Sequence, residues 1–316
     1  MTRVAIINDY ADVARGCAEW SRLPAGVHLD VFNDHLTDET EIAARLEPYE
    51  VVVAIRERTP FPRSLIDRLP NLKLLVTPGM RNAAIDIPGC AERGITVCGT
   101  NPGRPATAEL AWLLILALTK KLIPEEHGVR DGRWGVSMGI GLGGRTLGLL
   151  GLGTLGAKVA EVARVFEMNV LAWSQNLTDE RAAECGARRV ELDQLLSESD
   201  VVSVHLVLGP RSEGLIGARE LALMKPDSYL INTSRGPIVD EGALIRALRE
   251  QRIGGAGLDV FDVEPLPLDH PFRHLENVVI TPHLGGFVED SYKVWFAEAL
   301  ENIEAWLRGQ PVRVLS

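Results

Sequence analysis

Apolar residues in this chain fall into short runs, each about the length of a strand, with amphipathic segments between them. In the first third the runs are VAII, LDVF, VVVAI, KLLVT and ITVCG. The segments DETEIAARL and SLIDRL between them have apolar positions at helical spacing. A second series begins at TLGLLG and continues through NVLAW, VVSVHL, YLINTS, GAGLDV and VVITPH. Nearly continuous apolar strands alternating with helices predict parallel sheets covered on both faces, here in two doubly wound α/β domains.

Three segments stand outside this alternation. AELAWLLILALTKKL, between the two series, is too uniformly apolar for a surface helix and predicts a buried helix joining two domains. The stretch from Ile123 to Gly144 is rich in glycine and charge and has few core positions. It reads equally as an arm that packs on a partner subunit or as a surface loop. The final segment, SYKVWFAEALENIEAWLRG, predicts a helix with a strip of Trp295, Leu300, Ile303 and Trp306. Docking that strip back on the first domain is one economical way to bury it.

Composition narrows the class. The 316 residues are enough for two cores, and 46% hydrophobic with 24% charged residues is ordinary globular composition. No apolar run reaches the roughly 18 residues of a membrane span, and VAIIN directly after Arg3 predicts a strand and not a signal peptide. Cys17, Cys90, Cys98 and Cys185 are scattered, so neither a disulfide framework nor a zinc site is expected, and a reducing cytoplasm fits. A formal charge of -10 with no long basic run argues against nucleic acid as a partner.

The stretch GLLGLGTLGAKVA contains Gly151, Gly153 and Gly156 in a GxGxxG pattern. Alone it is weak, since 30 glycines in 316 residues give about 0.3 chance matches per chain. Its context is specific: the apolar run TLGLL precedes it and the helical pattern AKVAEVARVF follows. Strand, glycine turn and helix make a dinucleotide pyrophosphate site, with Thr154 and Leu155 at the helix N-terminus where unpaired N–H groups face the anion. An acid on the ribose 2′-hydroxyl is expected about 20 residues further on, but Ser174 stands there. Absence of a carboxylate removes the main barrier to NADP, yet no Arg adjoins Ser174, the nearest downstream being Arg181. The cofactor reads as NADP or NAD, leaning to NADP(H).

Three stretches at the ends of predicted strands carry candidate chemistry: INTSRGPIVDEGAL, GLDVFDVEPLP and ITPHLGG. Arg235 offers a planar fork for a carboxylate, His283 an acid/base near neutrality, and Glu264 a partner to hold the imidazole tautomer. Taken singly, each has a structural reading. Arg235 also reads as a member of a structural ion pair, Glu264 alone reads first as a solvated charge, and His283 and Asp259 read equally as a satisfied structural group and a turn former. Hydride exchange at C2 of a 2-hydroxy acid requires a base, its partner and an anion anchor beside a dinucleotide.

At these residues the chain resembles the D-isomer-specific 2-hydroxyacid dehydrogenases, including the glyoxylate/hydroxypyruvate reductases and phosphoglycerate dehydrogenases. The resemblance spans nearly the whole chain, including AIDIPGCAERGITVCGTNPG and ATAELAWLLILAL. It implies that Arg235 binds the substrate carboxylate, His283 is the acid/base with Glu264 as partner, and Asp259 holds the nicotinamide carboxamide. Thr107 would lie near the cofactor, and the backbone of Gly79 and Met80 would meet the substrate. Two Rossmann-like domains follow, a discontinuous flavodoxin-like substrate domain (1–101 and 288–316) and a dinucleotide-binding domain (102–287). The active site would lie in the cleft, and a homodimer would form largely through the cofactor domain. Departures include Ser174 for the frequent Asp, His205-Leu206-Val207 for the common His-Val-Pro, and Gly79-Met80-Arg81 for Gly-x-Asp. Glu264 in place of Gln argues against formate dehydrogenase, and the end of the chain at Ser316 against the longer serine-inhibited phosphoglycerate enzymes. Small 2-oxo acids such as glyoxylate and hydroxypyruvate are the expected substrates. Loops around Arg56, Arg81 and Trp134 would read the substrate tail, with Arg56 and Arg81 reading at least as well as surface charges or domain-closure contacts. A phosphorylated 2-hydroxy acid is the alternative, and a non-catalytic dinucleotide sensor the alternative from another class.

Overall fold

Four short, largely buried runs of β-branched and aliphatic residues form most of the first sheet, and a half-buried fifth lies at one edge. In a computed structural model, which describes residues 1–103 and 106–315, they are β1 (Thr2–Ile6), β2 (Val27–Val31), β3 (Val51–Val53), β4 (Leu74–Thr77) and β5 (Thr96–Gly99). All pair in parallel in the order β2-β1-β3-β4-β5, the flavodoxin-like arrangement. Seven more strands form the second sheet: β6 (Thr146–Leu150), β7 (Asn169–Trp173), β8 (Arg188–Arg189), β9 (Val201–Val204), β10 (Tyr229–Asn232), β11 (Gly255–Leu258) and β12 (Val278–Ile280). They are also parallel, in the order β8-β7-β6-β9-β10-β11-β12, the Rossmann order extended by a seventh strand. The chain divides into two compact units, Met1–Pro105 with Phe287–Ser316, and Ala106–Gly286.

In the first unit, helix Glu39–Leu46 starts where Asp38 accepts hydrogen bonds from the Thr40 and Glu41 N–H groups at 2.8 and 3.0 Å. The last helix, Glu289–Leu307, lays Tyr292, Trp295, Phe296, Ala299 and Ile303 against Val4, Ile6, Val53 and Val76 in one apolar cluster. The apolar strip of that helix thus closes a face of the sheet that begins at the chain's first residues.

In the second unit, helix Thr107–Thr119 is buried over most of its surface. Gly257 in β11 lets it approach, since a Cβ there would stand 2.9 Å from Leu114 Cβ. Two features differ from the sequence pattern. Leu122–Arg130 is a helix, a form the sequence reading of an arm or loop did not specify; only Gly128 in it is buried, its apolar Leu122, Ile123 and Val129 are exposed, and Pro124 lies in its tolerant first turn. The edge strand β8 is two exposed arginines, a polar edge with no hydrophobic signal. Among the described residues no helix is long and apolar enough to cross a membrane.

Candidate active site

Parallel strands present their C-terminal ends at one edge, and the second sheet gathers its candidate residues there. β6 is the switch point: the chain passes from it to β7 and β8 on one side, and later to β9 through β12 on the other. The loops after β6, β7 and β9 therefore flank one position, while those after β10, β11 and β12 supply Arg235, Glu264 and His283.

The three glycines after β6 have three different physical reasons. Gly151 has φ of 101°, and a Cβ on it would stand 2.6 Å from the His205 carbonyl oxygen. A Cβ on Gly156 would collide with the Gly151 carbonyl, so this glycine lets helix Thr154–Val165 sit against the turn. Gly153, by contrast, would place its Cβ in open space, with nothing within 4 Å. It is the N-cap of that helix, has no side-chain cap, and is exposed along with Thr154, while Leu155 is half-buried. The open, uncapped N-terminus fits a pyrophosphate, with the N–H groups of the first helical turn as its donors. His205 lies half-buried beneath this turn. Its Nε2 lies 2.9 Å from Ser203 Oγ, its Nδ1 has no partner among the described residues, and burial pushes its pKa down to about 4.

Arg235 follows β10 in a loop clamped by Asn232. The Asn232 Nδ2 donates to the Arg235 carbonyl at 2.9 Å, and its Oδ1 accepts from Ser234 N at 3.0 Å. Ser234 Oγ donates to Val204 O at 3.0 Å, and Arg235 Nη1 donates to the Ser234 carbonyl at 2.7 Å. Gly236 brings this loop against the next one, because a Cβ there would collide with the Phe261 backbone. In that second loop Glu264 Oε1 accepts from Phe261 N at 3.0 Å, while Oε2 receives the imidazole Nδ1–H of His283 at 2.7 Å. Both side chains are about one-third exposed, open enough to exchange protons with a bound molecule.

His283 has φ of 55°, a left-handed conformation unfavourable for a side chain of its size. Asp259 holds the loop in that shape. Its Oδ1 accepts from Thr281 Oγ1 at 2.7 Å and Leu284 N at 2.6 Å, and its Oδ2 from Gly285 N at 3.0 Å. Thr107 Oγ1 donates to the Gly285 carbonyl at 2.9 Å. Asp259 is fully buried, and desolvation raises its pKa above the usual carboxylate value against the lowering effect of those hydrogen bonds. Sequence reasoning did not anticipate this main-chain clamp.

The residues after β4 belong to the first unit. Gly79 has φ of 81° and donates its N–H to Thr100 Oγ1 at 3.3 Å; Met80 beside it is 46% exposed. Arg56 Nη1 stands 3.3 Å from where a Gly79 Cβ would be, with Arg56 Nε 3.4 Å from Glu57 Oε2. Arg81 is exposed, and Trp134, in the second unit, is 91% exposed.

At Ser174 the structure adds what the sequence lacked. Arg181 is engaged with Glu184 at 3.1 Å. Arg211, from the loop after β9, lines the same cleft of about 370 Å³ as Ser174. The signal was present in the strand order, which sets the loops after β7 and β9 on either side of β6.

Residues 112–285 match the model of the D-isomer specific 2-hydroxyacid dehydrogenase, NAD binding domain. A glyoxylate reductase of Aeropyrum pernix is 38% identical over 83% of this chain and 84% of its own. A hydroxypyruvate reductase of Blautia hydrogenotrophica is 29% identical over 99% of each chain. The structure of a phosphoglycerate oxidoreductase from Vibrio cholerae O395 superposes with a TM-score of 0.91 at 38% identity, covering 98% of this chain and 100% of that one. The chain belongs to the D-isomer specific 2-hydroxyacid dehydrogenase family. It is a dehydrogenase of D-2-hydroxy acids whose cofactor is NAD or NADP.

Proposed function

We propose that this enzyme reduces a small, polar 2-oxo acid, glyoxylate or hydroxypyruvate, with NADPH as the preferred cofactor. The observation that carries the reading is the His283 Nδ1 to Glu264 Oε2 hydrogen bond of 2.7 Å, on loops adjoining that of Arg235. A nicotinamide cofactor, when bound, would supply the hydride for C2 of the substrate. Arg235 anchors the substrate carboxylate through its guanidinium fork and so fixes which face of C2 is presented. With Nδ1–H committed to Glu264, the Nε2 of His283 is the nitrogen that delivers a proton to the 2-oxo oxygen, and in reverse removes it from the hydroxyl. The Glu264 carboxylate stabilises the imidazolium before the proton leaves. Asp259 and Thr107 serve this chemistry by holding the loop of residues 281–285. Asp259 is additionally assigned to the nicotinamide carboxamide on the family resemblance alone.

Ser174 supports the cofactor preference, because a hydroxyl does not repel a 2′-phosphate as a carboxylate would. A second substrate reading, a phosphorylated 2-hydroxy acid, is favoured by the Arg56 guanidinium beside Gly79. We further infer a homodimer formed through the second unit, where Leu113, Leu122, Ile123 and Val129 remain exposed. Light scattering at about twice 34.5 kDa supports the dimer, and a monomer mass refutes it. The function is tested by initial rates of NADPH and NADH oxidation with glyoxylate, hydroxypyruvate and phosphohydroxypyruvate. Faster turnover of the unphosphorylated acids with NADPH is the expected result. Preference for phosphohydroxypyruvate would replace the substrate assignment, and preference for NADH the cofactor assignment.

A further inference from the structure

We propose that Arg211 binds the 2′-phosphate of NADPH, in a cleft that it shares with Ser174 at the C-terminal end of β7. The proposal rests on the NADPH reading above and assigns the cation that the residues next to Ser174 do not supply.

Three observations carry it. The first is position. Gln175 Nε2 donates to the Arg211 carbonyl at 3.0 Å, which ties the loop after β9 to the loop bearing Ser174. That β9 loop is stiffened from within: the buried Ser212 Oγ donates to Val207 O at 2.6 Å and accepts from Gly209 N at 3.0 Å. Arg211 is therefore carried on an ordered support next to the expected ribose.

The second is charge. Among the described residues lining the cleft none is acidic, and among the described residues no carboxylate pairs with the Arg211 guanidinium. Most other arginines of this unit are committed, as Arg181 is to Glu184, Arg188 to Glu198 and Arg219 to Asp193. A guanidinium left without an acid, beside a serine hydroxyl and the Asn176 amide, is a donor set for a phosphomonoester.

The third is the apolar remainder. Trp173, Leu206, Leu208 and Pro210 also line the cleft, and Val207 stands 90% exposed on its rim. A free anion leaves such surface uncovered. A ligand with an aromatic base next to its phosphate covers it, which is the chemistry of a 2′-phosphorylated adenosine.

The test is equilibrium binding, read by calorimetry, of 2′,5′-ADP and 5′-AMP to the wild-type enzyme and to Arg211→Ala and Arg211→Lys. These probes differ only in the 2′-phosphate and require no turnover. The expected result is that wild type favours 2′,5′-ADP. Arg211→Ala should weaken 2′,5′-ADP about 10- to 100-fold while 5′-AMP changes less than about twofold, and Arg211→Lys should fall between. Arg211 is exposed, so the substitutions leave the core intact. If wild type favours 2′,5′-ADP and Arg211→Ala retains that preference, the Arg211 assignment is overturned and the NADPH reading stands. Equal weakening of both probes also overturns it. If wild type shows no preference for 2′,5′-ADP, the NADPH reading and the assignment fall together.

Discussion

Replacing Gly153 or Gly156 by alanine adds the same methyl group to one turn, yet the two variants should fail differently. At Gly153 the φ of -77° suits any residue, and the added Cβ meets nothing within 4 Å. Lower entropy of the unfolded chain stabilises by about 0.4–1 kcal/mol, and a poorer N-cap costs a similar amount, so the fold should hold within about 1 kcal/mol. Cofactor binding should not hold, because the methyl group occupies the space through which backbone approaches pyrophosphate. Loss of one charge-assisted hydrogen bond, about 1.5–3 kcal/mol, raises Kd about 10- to 100-fold. At Gly156 the Cβ collides with the Gly151 backbone carbonyl, and no flexible side chain can move to relieve it. Overpacking against a backbone carbonyl falls at the upper end of about 1–3 kcal/mol, and about 1 kcal/mol of helix propensity offsets part of it, leaving a loss of about 2 kcal/mol. At about 2–4 °C per kcal/mol for a unit of this size, Tm should drop by several degrees. Calorimetric titration with NADPH and thermal unfolding of both variants provide the assay. Wild-type affinity in Gly153→Ala would refute the assignment of the turn to pyrophosphate. An unchanged Tm in Gly156→Ala would refute the tight approach of helix and strand.

Two further predictions concern groups beneath the site. Asp259→Ala leaves the Leu284 and Gly285 N–H groups without their acceptor, so stability should fall by about 1–3 kcal/mol and turnover should slow as the His283 loop loosens; urea denaturation and initial rates check this, and an unaltered variant would remove Asp259 from the clamp. His205 is neutral in the fold down to about pH 4, whereas an unfolded histidine takes up its proton near pH 6.5. Its contribution is therefore complete above pH 6.5 and is lost progressively as pH falls toward 4, by about 3 kcal/mol in all. Urea denaturation at pH 7.5 and 4.5 should show a smaller acid loss in His205→Gln than in wild type; equal losses would contradict the burial argument.

How much of this was legible in the chain differs by element. Strands β1, β3, β4, β9 and β10 announce themselves because burial on both faces demands unbroken apolar runs. The pair Arg188–Arg189 forms a strand only because β7 offers an unpaired edge, which composition does not report. Helix Leu122–Arg130 is short, carries Pro124 and Gly128, and buries only the glycine, so its three apolar residues give too brief a pattern to mark it. The glycine turn was readable because steric exclusion at Gly151 and Gly156 restricts residue type directly. Asp259 acts through main-chain N–H groups, which every residue has, so no side-chain pattern marks its partners. The nearness of Arg211 to the Ser174 loop was hidden for a topological reason. It lies 36 residues beyond Gln175, whose side chain it meets, and only the sheet order makes the two loops neighbours.

The central claim is that His283, held by Glu264, moves the proton that accompanies hydride transfer. The most direct measurement is single-turnover NADPH oxidation by His283→Ala with glyoxylate, alongside the variant's NADPH Kd. The account predicts an unchanged Kd and a rate lower by about 10²–10⁴-fold. A rate equal to wild type at saturating cofactor would contradict it and remove His283 from the chemistry.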